Sequence, residues 1–217
     1  MGCKQQDTLF TFSVSLDFEP GVEGEETGVS AFLTQNHHFD LGVVMLPARS
    51  ETASFPGAVT DDGEEEDTED GEEEEETGGG LVPYFRFRAE SYVSVPKPLV
   101  VPVPEAWVGE TLRLEIAAKN YTHYTFSAGP AARRSEARQL MEASNDALSW
   151  GFTGESMLFT SPPSRSPVGV NRSRGRWANV RVAGVILGAY ATSNGGEGLA
   201  PAYISEWKYV PHEQFRD

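Results

Sequence analysis

The sequence predicts an all-β protein: a two-sheet antiparallel β-sandwich forming a single domain over residues 1–217. Three observations carry this. Apolar and polar residues alternate in many short stretches, turn residues separate those stretches, and helical periodicity is nearly absent. In residues 9–18, Phe10, Phe12, Val14, Leu16 and Phe18 alternate with Thr11, Ser13, Ser15 and Asp17, which makes one face of a strand apolar. Residues 28–35 and 39–46 read as a hairpin around the polar tip Asn36-His37-His38. Residues 84–92 alternate again, with Phe85, Phe87 and Ala89 opposed to Arg86, Arg88 and Glu90. Prolines at 96, 98, 102 and 104 confine the next run to an extended edge or a crossover. Leu112, Leu114, Ile116 and Ala118 give a further strand, paired with residues 124–128 across a short turn. Residues 135–144 read as one or two helical turns, and residues 185–191 and 202–210 as the last strands around the loop Ser193-Asn194-Gly195-Gly196.

Composition supports a packed core, with 39% hydrophobic and 11% aromatic residues. The net charge of −16 is concentrated in one place: residues 61–77 hold 13 acids and no base, leaving 20 of the 33 acids against 17 bases elsewhere. A nearly neutral remainder lacks the basic face that nucleic acid requires, and it offers no membrane patch. Cys3 is the only cysteine, so no intrachain disulfide can form. The N-terminus shows no signal-peptide pattern, and no stretch has the length of a transmembrane helix. Met1-Gly2-Cys3 is similar to an acylated start, but Gln6 stands where that pattern needs Ser or Thr.

Two segments interrupt the strand rhythm. Residues 48–80 form an acidic, low-complexity insertion with too little apolar surface to order itself, expected as a disordered loop. Residues 155–184 are rich in Pro, Ser and Arg, including Arg165, Arg172, Arg174, Arg176 and Arg181.

No catalytic constellation emerges. The chain has no G-x-S-x-G elbow, H-E-x-x-H, P-loop or G-x-G-x-x-G, and therefore no motif for a cofactor. Neighbouring residues of an extended segment point to opposite faces, so His37 and His38 suit a surface tip better than a shared metal ion. Glycoside hydrolysis needs two carboxylates around the scissile bond. Among the candidates Asp17, Asp40, Glu90, Glu115, Asp146 and Glu206, most alternate outward from strands, as a solvated face would, and the order E-x-D-x-x-E does not occur. Trp107, Trp150, Trp207, Tyr203 and Tyr209 suit core packing, although exposed aromatics also stack on sugar rings. Gln35, Asn36, His37 and His38 carry amide and imidazole groups suited to sugar hydroxyls, and the same groups also cap hairpins. They are the candidate carbohydrate-binding residues. Asn120-Tyr121-Thr122 and Asn171-Arg172-Ser173 are formal glycosylation sequons.

Residues 8–14 (TLFTFSV), 32–44 (FLTQNHHFDLGVV), 85–88 (FRFR), 112–116 (LRLEI), 123–130 (HYTFSAGP), 190–196 (YATSNGG) and 201–205 (PAYIS) occur in a telling order. Together they resemble the C-terminal concanavalin A-like domain, a jelly-roll sandwich, of fungal glycoside hydrolase family 43 β-xylosidase and arabinofuranosidase proteins. The resemblance spans nearly the whole chain outside the two insertions. It implies a sandwich that packs against a five-bladed propeller, with the catalytic acids on the propeller. That propeller is absent from these 217 residues, so no catalytic residue carries over. The implied role is a non-catalytic accessory or structural domain for a glycosidase acting on xylan or arabinan side chains, with the family 43 propeller as partner and an extracellular setting. The alternatives are a free-standing lectin-like module binding xylo-oligosaccharide through the 35–38 tip, and a fragmentary gene product.

The resemblance also bears on the second insertion. The family pattern runs from Gly-Phe-Thr-Gly directly into an apolar strand, and Gly151-Phe152-Thr153-Gly154 and residues 185–190 supply the two halves. Residues 155–184 therefore read as a translated, unspliced intron, the alternative being a surface-loop insertion. Gly154-Glu155-Ser156 can be encoded with a GTGAGT donor, Ala183-Gly184 with a CAG acceptor, and Ala178-Asn179 with a CTAAC branch site. Deleting residues 155–184 is predicted to leave a chain whose thermal midpoint equals or exceeds that of the full protein. An unfolded deletion product, together with retention of the segment in every transcript, would overturn the reading.

Overall fold

A computed structural model of the chain describes residues 2–48, 80–148 and 185–213. Within them eleven strands build two antiparallel sheets. In chain order the strands are β1 (Gly2–Lys4), β2 (Leu9–Phe18), β3 (Glu26–Thr34), β4 (His37–Pro47), β5 (Leu81–Glu90) and β6 (Leu99–Pro102). They continue with β7 (Leu112–Ala118), β8 (His123–Pro130), β9 (Arg138–Ser144), β10 (Ile186–Thr192) and β11 (Ala202–Glu213). The first sheet runs β1-β10-β3-β4-β5-β6, and the second runs β11-β2-β7-β8-β9. This is the expected sandwich, with Pro102 on an edge strand where its missing N–H interrupts no ladder.

Period-2 alternation decides what lies between the sheets. Phe10, Phe12, Val14 and Leu16 of β2 face inward beside Leu114 and Ile116 of β7, opposite Phe39, Leu41 and Val43 of β4 and Phe85 and Phe87 of β5. The centre is aromatic and edge-on: Phe126 meets Phe87 at 4.9 Å and Phe39 at 5.8 Å between ring centroids, the latter pair at 88°. Trp107 is buried, Trp207 and Tyr209 are half-buried against the core, and Tyr203 projects into solvent.

The expected helical turns over 135–144 are corrected to a strand. Only Arg134–Glu136 makes a 3-10 turn, and Arg138–Ser144 pairs with β8. The buried residues Leu140 and Ala143 stand three apart, as on a helix. That spacing arises from a bulge, because Phe126 pairs with Met141 while Ser127 pairs with Gln139, leaving Leu140 as the extra residue. The 48–80 insertion leaves the β4–β5 hairpin at its end, where Pro47 pairs with Leu81 and the Ala48 amide donates to the Gly80 carbonyl at 3.0 Å. Residues 49–79, Trp150, the 151–154 motif and the proposed intron lie outside the described residues.

Phe87 is fully buried between two ring neighbours, so Phe87→Ala removes both contacts and leaves a void. It is predicted to cost about 3–5 kcal/mol in urea unfolding monitored by tryptophan fluorescence.

Candidate functional site

The outer face of the first sheet carries the densest polar cluster among the described residues. Strand register lays it out in rows. Tyr190, Gly28, Gly42 and Arg86 form one row across β10, β3, β4 and β5, and Gly188, Ser30, Asp40 and Arg88 form the next. Glu26 leads the β3 contribution, one row beyond Tyr190. Because the two middle places of the Tyr190 row are glycines, nothing rises between Tyr190 and Arg86. A Cβ on Gly28 would run into the Leu41 carbonyl, and one on Gly42 would sit 2.6 Å from the Tyr190 hydroxyl. The long side chains can therefore lie flat across the sheet and converge on Glu26.

The Glu26 carboxylate is wholly enclosed. Arg86 donates to it, Arg88 approaches at 3.3 Å, the Tyr190 hydroxyl donates at 2.6 Å, and the Asn194 amide donates at 2.9 Å. Burial by itself would raise its pKa, but the Arg86, Tyr190 and Asn194 hydrogen bonds and the Arg88 charge outweigh this and hold it below the usual carboxylate value. Asp40 moves the other way. Burial raises its pKa, and the Ser30 hydrogen bond, His38 at 3.5 Å and Arg88 at 3.8 Å offset this only in part. Burial, followed by the charges of Glu26 and Asp40, keeps the Tyr190 phenol protonated far above its ordinary range.

The expectation that the strand acids form a solvated face needs correction for Asp40, which is only 9% exposed. Neighbours on three strands cover it, a circumstance that alternation within one strand does not reveal. In the sequence Glu26 sits at the end of the acidic stretch 19–26 and looks like turn chemistry. A usable signal was present nonetheless: Arg86 and Arg88 share one face of a strand in a chain short of bases, and such a pair needs acids on adjacent strands.

A second carboxylate, Glu25, points to the sandwich end. It accepts backbone N–H bonds from Gly21 and Ala200, both at 2.7 Å, and from Val22 at 3.0 Å. These donors lower its pKa, the Ala200 amide most. Glu25 thereby ties the β2–β3 loop to the β10–β11 loop.

The four candidate sugar contacts do not share one surface. Gln35 is exposed, and the Asn36 amide donates to the Tyr92 hydroxyl at 2.8 Å. His37 is buried, with Nδ1 2.9 Å from Thr34 Oγ1 and its ring edge-on to Tyr92 at 4.9 Å. His38 turns to the opposite face, beside Asp40 and Phe32. The two histidines thus diverge as alternation requires. Among the described residues no group of three or more His, Cys, Asp or Glu side chains could hold a metal ion.

Glu26→Gln leaves the partly buried Arg86 and Arg88 guanidinium groups without their counter-charge and is predicted to destabilise the protein by about 1–3 kcal/mol at pH 7. Its folded pKa is depressed, so the stability it contributes is present above the unfolded carboxylate value and is lost as pH falls through the folded one. Asp40, with a raised folded pKa, acts in the opposite sense. Urea titrations at pH 7 and pH 4 should accordingly show a smaller acid loss for E26Q than for the parent; an unchanged loss would remove Glu26 from the acid response.

Comparison with known proteins agrees with this architecture. Residues 1–92 match the family model described as "Beta xylosidase C-terminal Concanavalin A-like domain". Among solved structures, "Bacteroides ovatus Xyloglucan PUL GH43B" is similar with a TM-score of 0.52 and 19% identity, over 96% of this chain and 28% of that one. A mutant of the GH43 protein BlXynB from Bacillus licheniformis is similar with a TM-score of 0.50 and 13% identity, over the same 96% and 28%. The chain thus spans little more than a quarter of these relatives' length. At such identities the likeness concerns the fold. No curated protein matches the chain.

Proposed function

We propose that this chain, whose residues 1–92 match the β-xylosidase C-terminal concanavalin A-like domain model, is a non-catalytic accessory sandwich of a glycosidase whose chemistry resides on a separate propeller. The proposed partner is a family 43 catalytic domain, and the proposed substrates of the assembly are xylan or arabinan side chains. One observation carries the non-catalytic reading. Glu26 and Asp40 have protonation preferences pushed apart, as an acid/base pair would, yet the Glu26 side chain is 0% exposed and held by two arginines. A carboxylate so enclosed cannot meet an anomeric carbon or a water molecule. It neutralises the arginines that cover it.

A second reading keeps the 35–38 tip as a lectin-like contact for xylo-oligosaccharide. It is favoured by Tyr92, which is 64% exposed and whose hydroxyl is held by Asn36, leaving an aromatic side chain beside the exposed Gln35.

The isolated chain is predicted to show no turnover of aryl β-xylosides or aryl α-arabinofuranosides above buffer. Turnover that disappears on replacing a single carboxylate would contradict the accessory role.

A further inference from the structure

Beside the Glu26 cluster, the outer face of the first sheet has an open depression of about 320 Å³. Its principal lining residues are Gly2, Ser30, Phe32, Ile186, Gly188 and Tyr190. Strand pairing explains why it exists. Gly2 of β1 lies opposite Gly188 of β10, which lies opposite Ser30 of β3, so three neighbouring strands contribute two glycines and one short side chain. The Ile186 side chain lies against Gly2, with its Cγ2 2.7 Å from where a Cβ would stand. At one end stand Phe32 and Ile186, 39% and 45% exposed, which pair with each other across β3 and β10. At the other end stands Tyr190, anchored through its hydroxyl to Glu26.

Two features define what would fit there. The walls are apolar and include an exposed aromatic, while the flank beyond Ser30 is polar, with His38 and Arg88 both paired to Asp40. Charge along that flank is balanced, since Glu26 and Asp40 stand against Arg86 and Arg88. A balanced lining gives an ionic ligand no excess counter-charge to recognise. An uncharged chair-shaped ring with axial C–H groups on its faces and hydroxyls at its edge satisfies both features. The small volume suits a short unit rather than a long chain segment.

We propose that this depression is a binding subsite for a neutral pyranose, with the sugar lying over Gly188 between Phe32 and Tyr190. The site is distinct from the 35–38 tip, and its test is made on this chain alone. The weak binding typical of a shallow, pre-formed subsite is expected, with Kd of about 1 mM.

Titration of the full chain with xylotriose and with cellotriose, followed by ¹H–¹⁵N chemical shifts, tests the site. Saturable shifts at the amides of Ser30, Phe32, Gly188 and Tyr190 with either probe are expected. Phe32→Ala, a change at an exposed position, should weaken binding at least about fivefold, and Gly188→Leu should abolish it by filling the depression. If Gly188→Leu does not fold, Phe32→Ala decides the matter alone. The subsite is refuted by an absence of shifts at these amides with both probes, by undiminished binding in Phe32→Ala, or by shifts confined to Gln35, Asn36 and Tyr92. None of these outcomes bears on the aryl-glycoside assay, so the two proposals fail separately.

Discussion

Enclosing Glu26 on an outer sheet face is the constraint around which much of this sandwich is arranged. An outward carboxylate on an edge-free strand would ordinarily be hydrated, and losing that hydration is costly unless charged and hydrogen-bonding partners replace it. Here the partners come from β5, β10 and the β10–β11 loop, so one side chain on β3 ties together elements far apart in sequence. The arrangement reaches into the backbone. Asn194 takes a left-handed conformation at φ 51° and its amide also donates to the Gly24 carbonyl at 2.7 Å, while Gly24 itself sits at φ 84°. Glu25, the next residue along from Gly24, binds the Ala200 amide in the same pair of loops. The loop Ser193-Asn194-Gly195-Gly196 is thus less a flexible connection than a clasp.

The glycines follow from the same requirement. Gly28 and Gly42 face each other in the middle of a sheet, where glycine ordinarily weakens a strand. Their value lies in what crosses above them: Tyr190 from one side and Arg86 from the other reach the Glu26 carboxylate only because no Cβ intervenes. The cross-strand interactions that would come from side chains at those positions are replaced by longer side chains lying over the backbone.

Much of the fold was legible because each sheet has an apolar inner face, and alternation then marks nearly every strand. The run from Phe10 to Phe18 and the opposition of Phe85 and Phe87 to Arg86 and Arg88 show this directly. Strand β9 was not legible, since its bulge at Leu140 converts a period of two into an apparent period of three. The polar cluster was legible only in part. Alternation assigns Asp40, Arg86 and Arg88 to one side of their strands, but covering them requires knowing that β10 returns beside β3 after more than 150 residues. Local patterns carry no information about which distant strand becomes a neighbour. His37 illustrates the same gap, because a residue of a polar tip becomes buried once Tyr92 folds over it.

The two outward carboxylates also show why a pair of opposed protonation shifts does not by itself make an acid/base machine. In a hydrolytic pair the groups must face a common space that admits substrate, with one proton available to leave and one lone pair available to accept. Glu26 has its lone pairs occupied by Arg86, Arg88, Tyr190 and Asn194, and the shift of Asp40 reflects burial beneath its neighbours. The energy of the cluster is directed inward, toward holding β3, β4, β5 and β10 in register. Beside the cluster the same sheet carries the shallow depression lined by Gly2, Gly188 and the exposed Phe32. Rigid charge pairing and this depression are therefore complementary products of one sequence choice: short residues where the sheet must be crossed or approached, and long charged ones where it must be held.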